Sequence, residues 1–174
     1  MQQCLDLFSK REQLDDYQCD HCKAVTPAIV DTKISRAPDI LIVHLKRFSY
    51  QSGFLEKIED LVNFPLRNLD LSQTLSAGIK KHAKTSKPNS QLYDLYAIVN
   101  HIMYHTAGGG HYTTYVASDT QHSGQKAQIW LKCNDSTVSR IDKEDLVSKD
   151  AYILFYKRKE FTASNIINFA SAGY

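Results

Sequence analysis

The residues best suited to chemistry in this chain are a histidine and the Asn-Asp pair that follows it. His111 stands directly after a run of three glycines, and the pair lies 23 residues further on: Gly108, Gly109, Gly110, then Asn134 and Asp135. An imidazole oriented by an Asn or Asp side chain supplies two of the three parts of a nucleophilic triad. The third part is a nucleophile such as a cysteine thiolate, and none of the four cysteines stands in a segment typical of one.

The glycine run favours a movable loop in front of His111. Three consecutive glycines lose much backbone entropy on folding, so they indicate a close backbone approach, a positive φ or movement. Such a hinge suits a loop that closes over an extended substrate. As a general base, His111 needs a partner that fixes its tautomer, and Asn134 and Asp135 are the candidates. The alternative is a core histidine beside an ordinary turn, and the local pattern leaves both open.

A second candidate site is the knuckle Cys19-Asp20-His21-Cys22. A C-x-x-C supplies half of a tetrahedral zinc site, so Cys19 and Cys22 are expected to bind structural zinc together with ligands from outside this chain. The alternatives are two reduced cysteines in a turn, or a redox pair, which the lack of a βαβ pattern disfavours. His101 and His105 have the spacing of a helical metal pair, but they follow a strand pattern, which argues against a metal there.

Length and composition are those of one globular domain. The chain has 174 residues, 43% of them hydrophobic and 23% charged, with a net charge of +2. This balance gives no electrostatic reason to expect binding to nucleic acid or to a membrane surface. No apolar run approaches the roughly 20 residues of a membrane span. Four cysteines, two of them in a C-x-x-C, fit a reducing compartment, so we expect a cytosolic or nuclear location.

The elements that must position these residues are mainly strands. Period-2 and β-branched patterns predict four strands in the second half, at Leu92–Met103, His111–Ala117, Ile129–Cys133 and Tyr152–Lys157. Upstream, the patterns predict a helix over 2–12, a buried strand from Ile40 to Tyr50, a hairpin near Gln51-Ser52-Gly53, and a loop over 76–91. A second short helix is expected at Asp142–Ser148, with Asp142 and Asp145 in capping-box positions. Cys4 and Cys133 are expected to pack in apolar surroundings, and Lys46 and Arg47 to be solvated or ion-paired.

Taken together, these segments resemble the ubiquitin-specific proteases, the papain-like deubiquitinases. The matching motifs occur in the family's order over residues 4–158. They are Cys4-Leu5 to Phe8, Glu12-Gln13-Leu14, Tyr17-x-Cys19-x-x-Cys22, Pro38-x-Ile40 to Phe48, Phe64-Pro65, Tyr93-x-Leu95, Val99-x-His101, Gly109-Gly110-His111-Tyr112-Thr113-Thr114-Tyr115, Trp130 with Asn134-Asp135-Ser136-x-Val138, and Ala151 to Tyr156. The segment Leu41 to Tyr50 and the loop position after it are most similar to members whose catalytic domain is split by an insertion.

The resemblance implies an α+β, papain-like fold. This chain would supply the β-rich palm and fingers portion, with mostly antiparallel strands and few short helices. Residues 1–159 would be the C-terminal half of the catalytic domain and 160–174 a tail. The family's nucleophile lies in an N-terminal cysteine box that this sequence lacks, as it lacks the C-x-x-C that completes the family's zinc site. We therefore expect the upstream half of the domain as a partner.

By the same resemblance, His111 is the general base and Asn134 orients it, while Asp135 is able to share that role. Gly108, Gly109 and Gly110 lie on a loop beside the substrate channel, and Tyr112 lines or braces the site. The expected substrates are ubiquitin and ubiquitinated proteins, hydrolysed at the isopeptide bond without a catalytic metal. Two alternatives remain: a ubiquitin-binding scaffold without a nucleophile, and a zinc-dependent interaction module, which leaves His111 unexplained.

Overall fold

The computed structural model describes residues 1–51, 54–76, 91–104, 109–122 and 125–160. These residues form one helix and eleven strands. The helix is Gln2–Phe8 (α1), and the strands are Glu12–Gln18 (β1), Val25–Val30 (β2), Ile40–His44 (β3), Phe48–Gln51 (β4), Phe54–Lys57 (β5), Leu69–Asp70 (β6), Leu92–Met103 (β7), Gly110–His122 (β8), Gln125–Asn134 (β9), Thr137–Ile141 (β10) and Ala151–Arg158 (β11). A single 3₁₀ turn, Lys143–Asp145, lies between β10 and β11. The described part contains no helix long and apolar enough to cross a membrane.

A central antiparallel sheet organises the fold. Its strands lie in the order β10-β9-β8-β7-β11-β3, and β6 pairs with the beginning of β7. Two hairpins, β1–β2 and β4–β5, form separate two-stranded sheets. This strand-rich, antiparallel architecture with one short helix confirms the fold class expected from the sequence.

The core is built on strands β7 and β11. Tyr93, Ile98, Leu154 and Tyr156 are fully buried, and they pack in one cluster with Phe64, Leu69, Leu71 and Leu146. The Tyr156 hydroxyl donates to the Pro65 carbonyl at 2.9 Å, so this buried polar atom has a partner. Burial raises the pKa of Tyr156 above its ordinary value.

Strand β3 is an edge strand, which corrects the expectation of a buried one. It pairs only with β11 among the strands of the central sheet, and Ile42 is 58% exposed. The strand also ends at His44 instead of continuing to Tyr50. The β-branched run that predicted burial reflects the inner face alone, where Leu41 and Val43 pack against the core.

Arg47 lies in the segment between β3 and β4, and its burial corrects the expectation of a solvated cation. The side chain is 3% exposed, and its donors bind three backbone carbonyls. Nε donates to Ala151 O at 2.6 Å, and Nη1 to Ile58 O at 3.0 Å and Asp60 O at 2.8 Å. Burial lowers the pKa of Arg47, while the nearby carboxylates of Asp150 and Asp60 counter that effect. The guanidinium therefore ties the loop after β5 to the beginning of β11.

Several local expectations differ from the structure. Helix α1 ends at Phe8, because the polar segment that follows forms β1 instead of a further turn. Cys4 is exposed and Cys133 half-buried, so neither is a fully packed core cysteine. Lys143–Asp145 is a single 3₁₀ turn, and Asp142 makes no side-chain capping bond. The predicted tail (160–174) beyond residue 160, most of the predicted loop (76–91), Gly108 and His105 lie outside the described residues.

Candidate functional site

Two adjacent β-hairpins bring the histidine and the Asn-Asp pair together. In the β7–β8 hairpin His111 lies opposite Ile102, and in the β8–β9 pair Thr114 lies opposite Cys133. The chain then turns tightly at Asp135-Ser136, because Asn134 pairs directly with Thr137. Residues 23 positions apart in sequence thus meet at one end of the sheet.

The imidazole of His111 and the amide of Asn134 are in direct contact. Nε2 of His111 lies 2.6 Å from Oδ1 of Asn134. A carboxamide oxygen can only accept, so Nε2 carries the proton and donates it. The other ring nitrogen, Nδ1, then has the lone pair and can accept a proton from a nucleophile. This is the orientation that a general base requires.

Asp135 lies further from the ring. Its Oδ2 is 4.0 Å from Nε2 of His111, and its side chain is 81% exposed. The residue has φ of 49°, in the left-handed region that Asp and Asn tolerate in two-residue hairpin turns. The geometry therefore gives Asn134 the direct contact with the ring, while Asp135 forms the turn and adds a negative charge at longer range.

Gly110 and Gly109 differ sharply in their surroundings. A Cβ on Gly110 would lie 2.1 Å from Nε2 of His101, closer than any real contact, whereas a Cβ on Gly109 would meet nothing within 4 Å. The absence of a side chain is thus required at Gly110 by the buried ring of His101. The N–H of Tyr104 donates a hydrogen bond to the carbonyl oxygen of Gly109 at 3.0 Å, which joins the two strands just before Gly110.

An aromatic cluster surrounds the ring of His101, and sequence reasoning missed it. Its members are Phe48, His101, Tyr112 and Tyr152. The centroid of the His101 ring lies 5.4 Å from that of Phe48, 4.7 Å from that of Tyr112 and 5.8 Å from that of Tyr152. Tyr112 is 56% exposed, so the cluster reaches the surface next to His111. His101 and Tyr112 meet because they lie opposite each other on paired strands, which no local sequence pattern shows.

The backbone of His101 is also held by Lys57 and Asp150, which form an ion pair. Lys57, whose side chain is 3% exposed, donates to the carbonyl of His101 and pairs with Oδ1 of Asp150 at 3.3 Å. The backbone N–H of His101 in turn donates to Asp150 O at 2.8 Å. Burial, together with the positive charge of Lys57, lowers the pKa of His101 below its ordinary value, and the carboxylate of Asp150 opposes this only in part.

We expect the stability of the protein to fall on acidification partly because of His101. Its pKa is lower in the folded protein than in the unfolded chain, so the unfolded chain binds more protons below the ordinary value of about 6.5. The stabilisation is complete above that pH and is lost as the pH falls towards the folded pKa. In thermal melts between pH 8 and 5, the Tm of the parent protein should therefore fall more steeply with decreasing pH than the Tm of His101→Phe. Parallel curves would contradict the assignment.

The cysteine knuckle is a tight turn that holds Cys19 and Cys22 on the β1–β2 hairpin. Lys23 has φ of 58°, and its N–H donates to Cys19 O at 2.8 Å, which folds the knuckle back on itself. Hydrogen bonds from the backbone of Cys22 and His21, and from the Cys22 side chain, lower the pKa of the Cys19 thiol. A thiol that ionises readily suits a zinc ligand. Across the residues described here, no group of three or more His, Cys, Asp or Glu side chains could hold a metal.

Comparisons with known proteins identify the family of the chain. The sequence profile described as ubiquitin carboxyl-terminal hydrolase matches residues 4–156. The probable ubiquitin carboxyl-terminal hydrolase 1 of Schizosaccharomyces pombe is 43% identical over 165 residues, which cover 91% of this chain and 18% of that protein. Human ubiquitin carboxyl-terminal hydrolase 19 is 40% identical over 164 residues, covering 91% of this chain and 12% of that protein. The chain thus spans less than a fifth of the length of these relatives.

Solved structures share the fold. A yeast SAGA deubiquitinating module has a TM-score of 0.69 at 32% identity, covering 92% of this chain and 33% of the solved one. The SAGA Ubp8/Sgf11/Sus1/Sgf73 module bound to ubiquitin aldehyde has a TM-score of 0.67 at 31% identity, covering 93% and 34%. The family profile covers most of the chain. The chain therefore belongs to the ubiquitin carboxyl-terminal hydrolase family, the ubiquitin-specific proteases.

Proposed function

We propose that this chain is the histidine-bearing half of a deubiquitinating thiol protease, which hydrolyses isopeptide bonds at the C-terminus of ubiquitin. The contact of 2.6 Å between His111 Nε2 and Asn134 Oδ1 carries this proposal. It leaves Nδ1 of a half-buried imidazole free to act as a base. Family membership supports the reaction class, and the solved relative bound to ubiquitin aldehyde supports ubiquitin and ubiquitinated proteins as partners.

The proposed mechanism moves two protons through His111, one during formation of the thioester and one during its hydrolysis. A cysteine thiol on the upstream segment gives its proton to Nδ1 of His111, and the thiolate attacks the carbonyl carbon of the isopeptide bond. The imidazolium then protonates the departing lysine amine, and the C–N bond breaks to leave a thioester. His111 next takes a proton from water as the water oxygen attacks the thioester carbonyl. The C–S bond breaks, and the imidazolium returns its proton to the thiolate. Asn134 holds the ring throughout by accepting from Nε2–H.

Substrate would approach the exposed edge beside His111. Gly109 has open space around it, and the ring of Tyr112 is 56% exposed, so both can border a bound chain. Ubiquitin ends in Gly-Gly, a segment slim enough for a narrow channel. We assign Gly108, Gly109 and Gly110 to the loop beside this channel, and Tyr112 to its wall.

The knuckle is proposed to hold half of a structural zinc site. Cys19 and Cys22 would be two thiolate ligands, and an upstream pair the other two. When bound, zinc would supply folding energy to the β1–β2 hairpin and take no part in the chemistry. We expect about one zinc per assembled domain by metal analysis and a large loss of zinc in Cys19→Ser. Equal zinc content in both proteins would contradict the assignment.

The domain boundaries and the inactivity of the isolated chain belong to the same proposal. Residues 1–159 would be the C-terminal half of the catalytic domain, followed by a tail from 160 to 174. The nucleophile would come from the upstream half, so this chain alone is expected to be inactive. Its described cysteines are all free, in keeping with a reducing compartment, and we place the protein in the cytosol or nucleus.

The decisive experiment is hydrolysis of a fluorogenic C-terminal amide of ubiquitin. The chain alone should show no turnover, and the chain co-expressed with the upstream segment of its parent should be active. No turnover from a folded pair that still binds ubiquitin would favour the second candidate, a ubiquitin-binding scaffold. Family membership supports this second candidate equally well, because a scaffold derived from a hydrolase would match the same family profile.

A further inference from the structure

We infer that His101 is a positioning residue, which seats the backbone before His111 and so aligns the general base with Asn134. This inference rests on the proposed role of His111 and adds a residue to it. His101 is 7% exposed, so it lies behind the surface from which substrate would approach. It acts on the site through the strand that carries His111.

The first argument is the close contact between His101 and Gly110. Their strands pair so that His101 lies opposite Tyr112 and Met103 opposite Gly110. The imidazole of His101 reaches diagonally across this register and points its Nε2 tip at the backbone of Gly110, where a Cβ would be 2.1 Å from Nε2, 2.9 Å from Cε1 and 3.0 Å from Cδ2. The peptide bond that follows leads directly to His111.

The second argument is that the ring of His101 cannot readily shift. The aromatic cluster contacts it on several sides, and its backbone N–H and C=O are both held by the Asp150–Lys57 pair. The Lys57 side chain is almost fully buried, so its bond to the His101 carbonyl is shielded from solvent. A ring fixed in this way is a rigid wall for the neighbouring backbone.

The consequence concerns the alignment of His111. The hydrogen bond between His111 Nε2 and Asn134 Oδ1 joins β8 to β9. Its length therefore depends on the position of the first residues of β8. If the wall is removed, the first residues of β8 can settle into the vacated space. Displacements of about 1 Å are enough to lower a catalytic rate up to 10²-fold. Gly110 is thus explained as the residue that leaves room for His101.

The first test measures alignment without activity. In the chain labelled with ¹⁵N-histidine and assembled with the upstream segment of its parent, the Nε2–H proton of His111 should be observable by NMR at low temperature and be identified by its loss in Asn134→Ala. We expect Gly110→Ala to speed its exchange with water about tenfold or more, because the new Cβ collides with the ring. Gly109→Ala is the matched control, since its Cβ meets nothing within 4 Å, and it should leave this resonance unchanged.

Coupling between the two residues separates positioning from general destabilisation. His101→Ala should weaken the resonance, whereas His101→Phe, which keeps a planar ring against Gly110, should retain it. Adding Gly110→Ala to His101→Ala should cause little further change, because the ring that it would strike is gone. Equal effects of Gly109→Ala and Gly110→Ala, additive effects in the double variant, or loss of the resonance in His101→Phe would each overturn the inference.

The second test uses the assembled enzyme. His101→Ala should lower kcat for the ubiquitin amide about tenfold with little change in KM, and His101→Phe should restore most of it. A rise in KM with unchanged kcat would instead show that His101 contacts substrate, which overturns a positioning role. The NMR result does not depend on turnover. A positive NMR result with an inactive assembly would therefore reject the proposed reaction and leave the positioning role intact.

Discussion

Replacing His111 with alanine is expected to lower kcat of the assembled protease about 10⁴-fold, the upper range for loss of a general base. The structure gives the reason, because Nε2 is committed to Asn134 Oδ1 at 2.6 Å and Nδ1 is the ring atom left to receive the proton of the nucleophile. Affinity for ubiquitin should change little, since binding involves a far larger surface. Turnover of the fluorogenic amide and direct titration of ubiquitin measure the two effects separately.

Variants at the Asn-Asp pair refine this expectation. Asn134→Ala removes the acceptor of the short bond and should cost on the order of 10²-fold in kcat. Asp135→Ala should cost much less, because its carboxylate is 4.0 Å from the ring and 81% exposed. If Asp135→Ala proved the more damaging of the two, Asp135 and not Asn134 would be the orienting residue. Full activity of His111→Ala would reject the general-base assignment itself.

Replacing Arg47 with methionine is expected to lower the free energy of unfolding by about 3 kcal/mol. The guanidinium is buried and satisfies three carbonyls, of Ala151, Ile58 and Asp60, which would lose this donor. Methionine fills a similar volume, so the loss of unfolding free energy measures the missing hydrogen bonds and not the creation of a cavity. With a urea slope of about 2 kcal/mol per M, the midpoint should fall by about 1.5 M.

The neighbouring residue offers a matched control for this measurement. Lys46 has the same charge but is exposed, so Lys46→Met should change the unfolding free energy by less than about 0.5 kcal/mol. Similar urea midpoints for the two variants would show that burial of Arg47 contributes nothing to stability. Arg47→Lys should recover only part of the loss, because an ammonium cannot reach three carbonyls with the planar fork of a guanidinium.

Strand positions in the second half could be predicted from the sequence because long, alternating patterns there match a half-buried sheet. The predicted Leu92–Met103 coincides with β7, and the other three predicted strands lie within β8, β9 and β11. Polar strands were missed. Glu12–Gln18 and Thr137–Ile141 are almost wholly exposed, so their sequences carry no apolar alternation, and it is pairing with a neighbour that makes them strands.

The sequence by itself determined which residue types were available for chemistry: a histidine after glycines, an Asn-Asp pair and a cysteine knuckle. Only the tertiary structure decided which of them meet, because contacts across strands depend on register. It placed Oδ1 of Asn134 at 2.6 Å and Oδ2 of Asp135 at 4.0 Å from Nε2 of His111. The two residues are adjacent in the sequence, so the sequence could not show which of them contacts the ring. It also placed His101 against Gly110 and buried Arg47 while leaving Lys46 in solvent. Burial and strand pairing are properties of the folded chain, and no local pattern contains them.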